Sequence, residues 1–396
     1  MATFETVWKI VNEKFYDPSF NGVDWQDVRT RYAPRVAGIA NDADLYPLLN
    51  AMLGELKVSH LAVIPPQSVV DAKLDTGGAS WGGDAGMTVR LIEGRPVVTS
   101  VVDGGAAAEA GIRPGYVLTR IGATDVGELV ARIMQSNRQD TMKRLAVRRA
   151  IGALLGGIPG TPVEVAFLDG TDVPGTTTVV RSDSPGKPVQ FGEMPSVLVN
   201  FESRSLPGNI GYIRFNFFMP VLMEQIRREL ECFRDSAAIV IDLRDNPGGI
   251  GQMAPGVASL LVDRAVSLGT MKMRRGEIRF VTYKQAWSYR GRVLILTDEG
   301  SASTSEILAG ALQELGRATV VGDRTLGAVL PSVIERLPNG AVLQYAVADF
   351  KTPSGVLLEG HGVSPDIPAP GTRASYLAGT DPVLDAAIAH ISNERH

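Results

Sequence analysis

The chain has 396 residues, of which 44% are hydrophobic and 21% are charged. These fractions are ordinary for a globular protein and exclude the disordered, collagen-like and coiled-coil classes, while the length predicts two or three domains. Lys and Arg number 39 against 43 Asp and Glu. The resulting net charge of −4 gives no general attraction for nucleic acid or an anionic membrane.

Residue types that bind metals or form disulfides are scarce. Cys232 is the single cysteine, which excludes an intramolecular disulfide and a cysteine-clustered zinc or iron–sulfur site. Because Cys and His ligands are not clustered in the sequence, we expect no metal and no other cofactor. The longest apolar runs fall well short of the ~20 residues that a membrane-spanning helix needs, so we expect no membrane span.

The start of the chain has helical hydrophobic spacing. Apolar residues recur at helical intervals over 4–16, 25–37 and 42–56, which predicts three helices that form an N-terminal cap. Charged residues lie inside the first of these patterns, which distinguishes it from the apolar stretch of a secretion signal.

A short strand is predicted after the helices. Residues 58–64 have strand-like composition, and Ser59 and His60 would lie on that strand. We expect the helical cap together with this strand to occupy residues 1–70.

The composition changes near residue 77, where glycine pairs begin to separate short apolar runs. The runs at 87–92, 97–102 and 163–167 predict strands, and a long helical segment is predicted over 126–158. We therefore expect a β-rich domain over residues 77–184.

This domain resembles a PDZ domain, in which a glycine-rich loop before a strand offers backbone amides to the C-terminal carboxylate of a peptide. The resemblance implies that the matching loop binds a peptide tail. Its residues here are Gly83, Asp84, Ala85, Gly86 and Met87. A generic β-barrel domain with glycine turns is the alternative, because short glycine motifs alone are weak signals.

The remainder of the chain, residues 185–396, alternates strands with helices. Apolar strands at 237–243 and 293–297 are each followed by a polar, glycine-containing loop and a helix. This alternation predicts an α/β fold with a largely parallel sheet. Because ligands bind at the carboxyl ends of parallel strands, we expect the two loops to form the functional site.

The two loops carry specific motifs. The first reads DLRDNPGG over 242–249, and the second reads EGSASTSEILAG over 299–310, with GVSPD following at 362–366. Together they resemble the C-terminal-processing, or tail-specific, serine protease family. The resemblance implies a crotonase-like α/β core with an inserted PDZ domain, and an endopeptidase that acts on peptide or protein substrates through an acyl-enzyme.

Ser303 is the predicted nucleophile. It lies between a strand end and the start of a helix, where free amides favour negative charge, so the Thr304 N–H is a candidate oxyanion donor. A second donor is expected from Gly248 or Gly249, since a missing side chain allows close approach of the backbone. The alternatives are that Ser303 only caps the helix, as the S-x-x-E pattern permits, or that Ser301 or Ser305 is the nucleophile; the resemblance selects Ser303.

The predicted base departs from the commoner family pattern. Many members pair the serine with a lysine at the position that Ala328 occupies here. The placement of Ser59 and His60 resembles the tricorn-type branch, in which a histidine is the base and a glutamate that matches Glu359 supports it. The resemblance therefore implies a tetrad of Ser59, His60, Ser303 and Glu359. His361 is the alternative base.

Two non-catalytic functions remain as alternatives. The chain would be a binding protein if the missing lysine means an inactive site, and an apolar-ligand carrier if it followed the retinoid-binding modules that share this fold. The sequence predicts no nucleic-acid partner and leaves assembly as a homo-oligomer open. The resemblance implies an extracytoplasmic compartment, periplasmic or secreted, whereas a chain that is complete as given would be cytoplasmic.

Overall fold

The computed structural model describes residues 1–39, 41–65, 82–136, 138–192 and 196–393. The helices are α1 Ala2–Lys14, α2 Trp25–Ala37, α3 Asp42–Gly54, α4 Ala106–Glu109, α5 Val126–Met134, α6 Asp140–Leu155, α7 Met223–Cys232, α8 Met253–Ser259, α9 Thr304–Glu314, α10 Arg373–Leu377 and α11 Pro382–Asn393. Within the described ranges, no helix combines the length and apolar character needed to cross a bilayer.

The strands form several separate sheets. They are β1 Ala62–Ile64, β2 Gly83–Asp84, β3 Met87–Ile92, β4 Arg95–Val101, β5 Val117–Ile121, β6 Thr124–Asp125, β7 Pro162–Leu168, β8 Pro174–Val180, β9 Ser182–Asp183, β10 Lys187–Val189, β11 Val197–Val199, β12 Phe201–Leu206, β13 Ile210–Phe215, β14 Ala238–Asp242, β15 Ser267–Met273, β16 Glu277–Val281, β17 Arg292–Thr297, β18 Thr319–Gly322, β19 Ser332–Arg336, β20 Val342–Ala346, β21 Ala348–Lys351 and β22 Ile367–Pro368.

The three predicted N-terminal helices are present, and they pack on strands from the far end of the chain. Asp24 caps α2 by accepting from the Gln26 and Asp27 amides at 3.0 and 2.9 Å. Leu49 of α3 is fully buried in a core that also contains Leu343 of β20. Since β1 pairs with β20, the chain just before β1 is held against the C-terminal part of the protein.

The predicted strand over 58–64 is wrong in its first half. Only Ala62–Ile64 is a strand, and Ser59 and His60 lie in the bend before it. Lys57 and His60 have φ values of 53° and 55°, which a strand cannot contain. The propensity of the segment was therefore overridden by contacts that turn the chain at this point.

The β-rich part of the chain is an antiparallel sheet with strand order β3-β4-β5-β7-β8. The helical segment predicted over 126–158 is two helices, α5 Val126–Met134 and α6 Asp140–Leu155. Buried Val147 and Ile151 of α6 pack with Val98 and Val165 of the sheet. The expected domain boundaries at residues 70 and 77 lie outside the described residues.

The largest sheet of the C-terminal part has the order β12-β13-β14-β17-β18-β22. Strand β12 is antiparallel to its neighbour and the others are parallel, as the alternation of strands and helices predicted. Successive side chains of β14 point to opposite faces of the sheet. Ile241 packs in the core with helices α7 to α9, and Val240 packs in the core with α11. The sheet is thus covered on both faces, which explains its continuous apolar strands.

The packing of the N-terminal cap should be sensitive to truncation of its core. We expect Leu49→Ala to lower the free energy of unfolding by about 2–5 kcal/mol, because it removes a fully buried side chain and leaves a cavity. Leu48→Ala, on the same helix but only partly buried, is the matched control and should cost less. Urea denaturation would measure both, and equal losses would contradict this account of the core.

Candidate active site

Two loops meet at the carboxyl edge of the main sheet. One follows β14 and the other follows β17, and these two strands are parallel neighbours. Asn246 joins the loops: its backbone carbonyl oxygen accepts from the Ala302 amide at 3.1 Å and from the Ser305 hydroxyl at 2.8 Å. The loop that contains Gly248 and Gly249 is therefore held against the loop that contains Ser303.

The two glycines of the first loop differ in what their amides do. The Gly248 N–H donates to the Asn246 side-chain oxygen at 2.9 Å, whereas the contacts of the described residues include no acceptor for the Gly249 N–H. Gly248 has φ of 102°, and a Cβ there would lie 2.7 Å from the Ser303 Cβ and 2.8 Å from the Thr304 nitrogen. Only glycine permits this close approach to the second loop.

Ser303 is the N-cap residue of α9 and has an unusual backbone conformation. Its φ of 53° and ψ of −116° are rare for a residue with a side chain. The strain is held by two bonds from the Ser303 N–H, to the Ala328 carbonyl at 2.8 Å and to the Glu306 carboxylate at 3.0 Å. The bond to Glu306 is the reciprocal bond of a capping box, so the capping interpretation accounts for part of this geometry.

The hydroxyls of the two neighbouring serines make structural hydrogen bonds. Ser301 and Ser305 are fully buried, and their hydroxyls donate to the backbone carbonyls of Leu243 and Asn246 at 2.7 and 2.8 Å. Ser303 instead is partly exposed and lines a cavity, which separates it from the other two serines.

Glu306 is a buried carboxylate directly beneath the nucleophile candidate. Besides the Ser303 amide, it accepts from the Thr325 hydroxyl at 2.5 Å, the Gly327 amide at 2.7 Å and the Ala328 amide at 2.9 Å. Burial raises the pKa of Glu306 to about 7, against the lowering effect of these donors. The carboxylate thus connects the start of α9 to the loop after β18.

Ser59, His60 and Glu359 form a continuous hydrogen-bonded chain. The Ser59 hydroxyl lies 2.7 Å from His60 Nδ1 and donates to Glu359 Oε2 at 3.0 Å. Glu359 also accepts from the amides of Ser59 and Val329 at 2.8 and 2.9 Å. Residues 300 positions apart in the sequence are brought together here.

The hydrogen bonds of Ser59 with His60 and Glu359 determine which ring nitrogen of His60 carries the proton. The Ser59 hydroxyl has one hydrogen, and it is donated to a carboxylate, which has none to return when ionised. The Ser59 oxygen must then accept from His60 Nδ1–H, so Nε2 of the neutral ring is unprotonated and basic. Burial lowers the pKa of His60 to about 4, which keeps the ring neutral at physiological pH.

His60 and Ser303 line one cavity of about 600 Å³. The described residues around it include no Asp, Glu, Lys or Arg. Its apolar lining residues are Phe191, Phe217, Pro247, Ile250, Met271, Phe280, Ile307, Val329, Leu330, Pro331, Val333 and Ile334. The site therefore combines the neutral imidazole of His60 and the hydroxyl of Ser303 with an uncharged, largely apolar wall.

The alternative base His361 and the nearby lysines do not line this cavity, and no lysine takes the place of Ala328. Ala328 is buried in a small apolar cluster with Ala302, Leu145 and Leu326. The side chain of His361 is exposed, and its Nδ1 lies 3.0 Å from the Glu359 carbonyl. Lys57 and Lys351, the lysines nearest in sequence to the catalytic segments, are both exposed and absent from the cavity wall.

The loop predicted to bind a peptide tail lies in the β-rich part and does not line this cavity. Two of its amides are already used, since Gly83 donates to the Gly157 carbonyl at 3.2 Å and Gly86 to the Asp84 carboxylate at 2.6 Å. Ala85 is almost fully buried. The carboxylate-binding role of this loop stays a prediction.

The sequence did not indicate the role of Asn246 or the full role of Glu306. Asn246 lies before Pro247 in the glycine loop, and its position there is the only sequence signal. Glu306 was recognised as a capping residue, but its contacts to the loop at 325–328 come from a separate chain segment. Within the described ranges, no cluster of three His, Cys, Asp or Glu side chains is arranged to hold a metal ion.

Two segments of the chain match known protein families, and most of the chain is similar to known proteases. Residues 209–369 match the model of peptidase family S41, and residues 1–54 match the tricorn protease C1 domain. A carboxyl-terminal-processing protease of Synechocystis is 27% identical over 379 residues, which are 95% of this chain and 82% of that protein. Tricorn protease homolog 1 of Streptomyces coelicolor is 28% identical over 394 residues, 98% of this chain and 34% of that protein.

The solved structures agree with these sequence matches. The photosystem II D1 C-terminal processing protease aligns with a TM-score of 0.60 and 25% identity, over 92% of each chain. Some curated relatives, such as carboxyl-terminal-processing peptidase 3 of Arabidopsis thaliana, are named chloroplastic. Residues 209–369 are thus similar to peptidase family S41, and most of the chain is similar to proteins named as carboxyl-terminal-processing proteases.

Proposed function

We propose that this protein is a serine endopeptidase of the Ser-His-Glu type, which cleaves peptide or protein substrates through an acyl-enzyme. The observation that carries the proposal is the shared cavity of Ser303 and His60, with His60 oriented by the chain through Ser59 to Glu359. A nucleophile, a base and a group that orients the base are the parts that acyl transfer to serine requires.

In the proposed first step, the Ser303 hydroxyl oxygen attacks the substrate carbonyl and its proton moves to Nε2 of His60. The imidazolium that forms donates through Nδ1 to the Ser59 hydroxyl, whose own hydrogen bond to Glu359 is strengthened by the new positive charge. His60 then gives the proton to the leaving amine. Water, deprotonated by the same nitrogen, hydrolyses the ester of Ser303.

We assign the oxyanion donors to the amides of Gly249 and Thr304. Gly248 is the weaker candidate because its N–H already donates to Asn246. Thr304 holds the two loops in register, since its hydroxyl donates to the Gly249 carbonyl at 3.0 Å. Fixed amide donors at the start of α9 would stabilise the developing negative charge without reorganising in the reaction.

The β-rich part of the chain is proposed to be the PDZ-like domain that binds or gates C-terminal tails. Support for this comes from its antiparallel sheet, whose edge strand β3 follows directly after the glycine loop at 83–87. Strand addition at such an edge is the general way in which PDZ domains hold peptide tails. An antiparallel domain inserted before a parallel sheet is also the organisation expected of a crotonase-like core with an inserted PDZ domain.

Substitution of the three serines tests the nucleophile. We expect Ser303→Ala to abolish proteolysis and labelling by a fluorophosphonate probe, because it is the one of these three serines that lines the cavity. Ser301→Ala and Ser305→Ala each remove a buried hydrogen bond and should keep a measurable fraction of both. A fully inactive Ser305→Ala beside an active Ser303→Ala would show that the nucleophile is misassigned. Absence of any labelling in the wild type would favour the inactive binding protein.

The pH profile tests the base. Protonated imidazole cannot accept a proton, and burial lowers the pKa of His60 to about 4. We expect kcat/KM to be level through the neutral range and to fall only as the pH drops towards about 4. A histidine with its ordinary pKa of about 6.5 would lose activity about 2.5 pH units higher, so the position of the acidic limb measures the effect of burial.

Substitution of the base gives a second, independent measurement. His60→Ala should lower turnover by about 10⁴–10⁶-fold, as removal of a triad member does. Lys57→Ala and Lys351→Ala are the controls, and both should stay within about tenfold of wild type since these side chains are exposed. Near-normal turnover by His60→Ala would rule out the histidine mechanism.

The uncharged cavity predicts the class of side chain that it accepts. Peptides with Leu or Phe before the scissile bond should be cleaved at least about 100-fold faster, in kcat/KM, than those with Lys or Asp, since an unpaired charge would be buried. Met271→Glu should raise the relative rate for Lys about tenfold or more by supplying a counter-charge. Lys272→Glu, next along β15 but exposed, is the control. An unchanged preference in Met271→Glu would place the substrate side chain outside this cavity.

A further inference from the structure

Helix α6 of the β-rich part contacts the loops of the candidate active site from behind. Leu145 of this helix packs against Ala302, Leu326 and Ala328. Thr141 donates its hydroxyl to the Leu326 carbonyl at 3.1 Å. The helix thus touches the residue before Ser303 and the loop whose amides bind Glu306.

A cluster of charges lies at the same interface. Three acidic side chains, Asp245, Asp298 and Glu299, come from the loops after β14 and β17. Three arginines from the β-rich part, Arg90, Arg144 and Arg148, face them. Arg90 of β3 lies 2.7 Å from Asp245 and 3.4 Å from Glu299, and it also pairs with Asp298.

Asp298 ties the two loops together. Its Oδ1 accepts from the Asp245 amide at 3.0 Å and from the Gly300 amide at 2.7 Å. Burial by itself would raise the pKa of Asp298, but the charges of Arg90 and Arg148 keep that pKa below its usual value. The carboxylate therefore stays ionised and continues to accept from both loops.

Arg148 of α6 lies between the two loops. It forms an ion pair with Asp245, and its side chain is only 14% exposed. Its guanidinium also packs on Gly300, where an added Cβ would lie 2.5 Å from one terminal nitrogen and 2.7 Å from the other. Glycine at position 300 leaves the space that this arginine occupies.

The guanidinium of Arg148 is desolvated among other charged groups. Its surroundings include the positive charge of Arg90 and the negative charges of Asp298 and Glu299. Burial lowers the pKa of Arg148 to about 10, so the side chain remains charged at physiological pH. A desolvated cation is thus maintained at this point.

We propose that Arg148 is a positioning residue for the active site. Its charge balances Asp245 and Asp298, and its bulk on Gly300 sets the spacing between the glycine loop and the serine loop. This spacing determines where the Gly249 and Thr304 amides lie relative to Ser303. The kinetic part of the inference rests on the proposed function, whereas the structural part does not.

Two measurements on the whole chain test the proposal, with Arg148→Ala as the variant and Arg149→Ala as the matched control. Arg149 is the next residue of the helix and is exposed. Hydrogen–deuterium exchange should become faster at residues 243–250 and 298–304 in Arg148→Ala, and should stay as in wild type in Arg149→Ala. Unchanged exchange in both loops of Arg148→Ala would overturn the proposal.

The second measurement is turnover of a short peptide that carries no tail for the β-rich part to bind. We expect Arg148→Ala to lower kcat about 10–100-fold with KM within about threefold, because the loss is one of transition-state geometry. Methylguanidinium at millimolar concentration should restore part of the rate by filling the vacated site. A normal kcat in Arg148→Ala would also overturn the proposal.

The two readouts separate this inference from the proposed function. If the wild-type protein neither turns over peptide nor reacts with a fluorophosphonate, the proposed function fails, and the exchange data still decide the role of Arg148.

If Arg148→Ala does not fold, Arg148→Lys is the variant to test, because it keeps the charge but loses the planar contact with Gly300. It should then show faster loop exchange and an intermediate kcat, and wild-type values for both would refute the proposal.

Discussion

The parallel pairing of β14 with β17 is the constraint on which the candidate active site depends. Asp242, the last residue of β14, pairs with Leu296, the penultimate residue of β17, so the two following loops begin side by side. Parallel strands have their carboxyl ends at one edge, and here that edge receives the glycine loop and Ser303. Without this register, Gly248 could not lie against the Ser303 side chain.

Loops this irregular leave many backbone groups without partners in helices or strands. Buried side chains supply the missing partners, since Asn246, Asp298 and Glu306 each hydrogen-bond to the backbone of a segment other than their own. Burying such groups is costly unless they are fully bonded. Their satisfaction by several segments at once is what keeps the left-handed backbone of Ser303 in place.

The residues of the candidate site come from distant parts of the chain. His60 comes from the bend after the helical cap, Glu359 from near the C-terminus, and Ser303 from the central sheet. The cap contributes by packing Leu49 and its neighbours against β20, which holds β1 and the preceding bend in position. The β-rich part contributes Arg90 and Arg148 to the back of the same loops. Each part of the fold thus contributes residues or packing to the candidate site.

The sequence by itself determined the local structure and the identity of the candidate residues. Hydrophobic patterning predicted the N-terminal helices and helix α9, and continuous apolar runs predicted the strands β14 and β17, which are buried on both faces. The motifs around Gly248 and Ser303, with Ala328 in place of a lysine, selected the residues of the site by resemblance. The strand predicted at 58–64 failed because a local pattern cannot register contacts that turn the chain.

Only the tertiary structure decided which groups meet. It distinguished Ser303 from two buried serines, distinguished the amide of Gly249 from that of Gly248, and brought Glu359 to Ser59 across 300 positions. It also placed α6 against the candidate site. These outcomes depend on long-range packing and on the burial of charge, and neither is encoded in the spacing of residues along the chain.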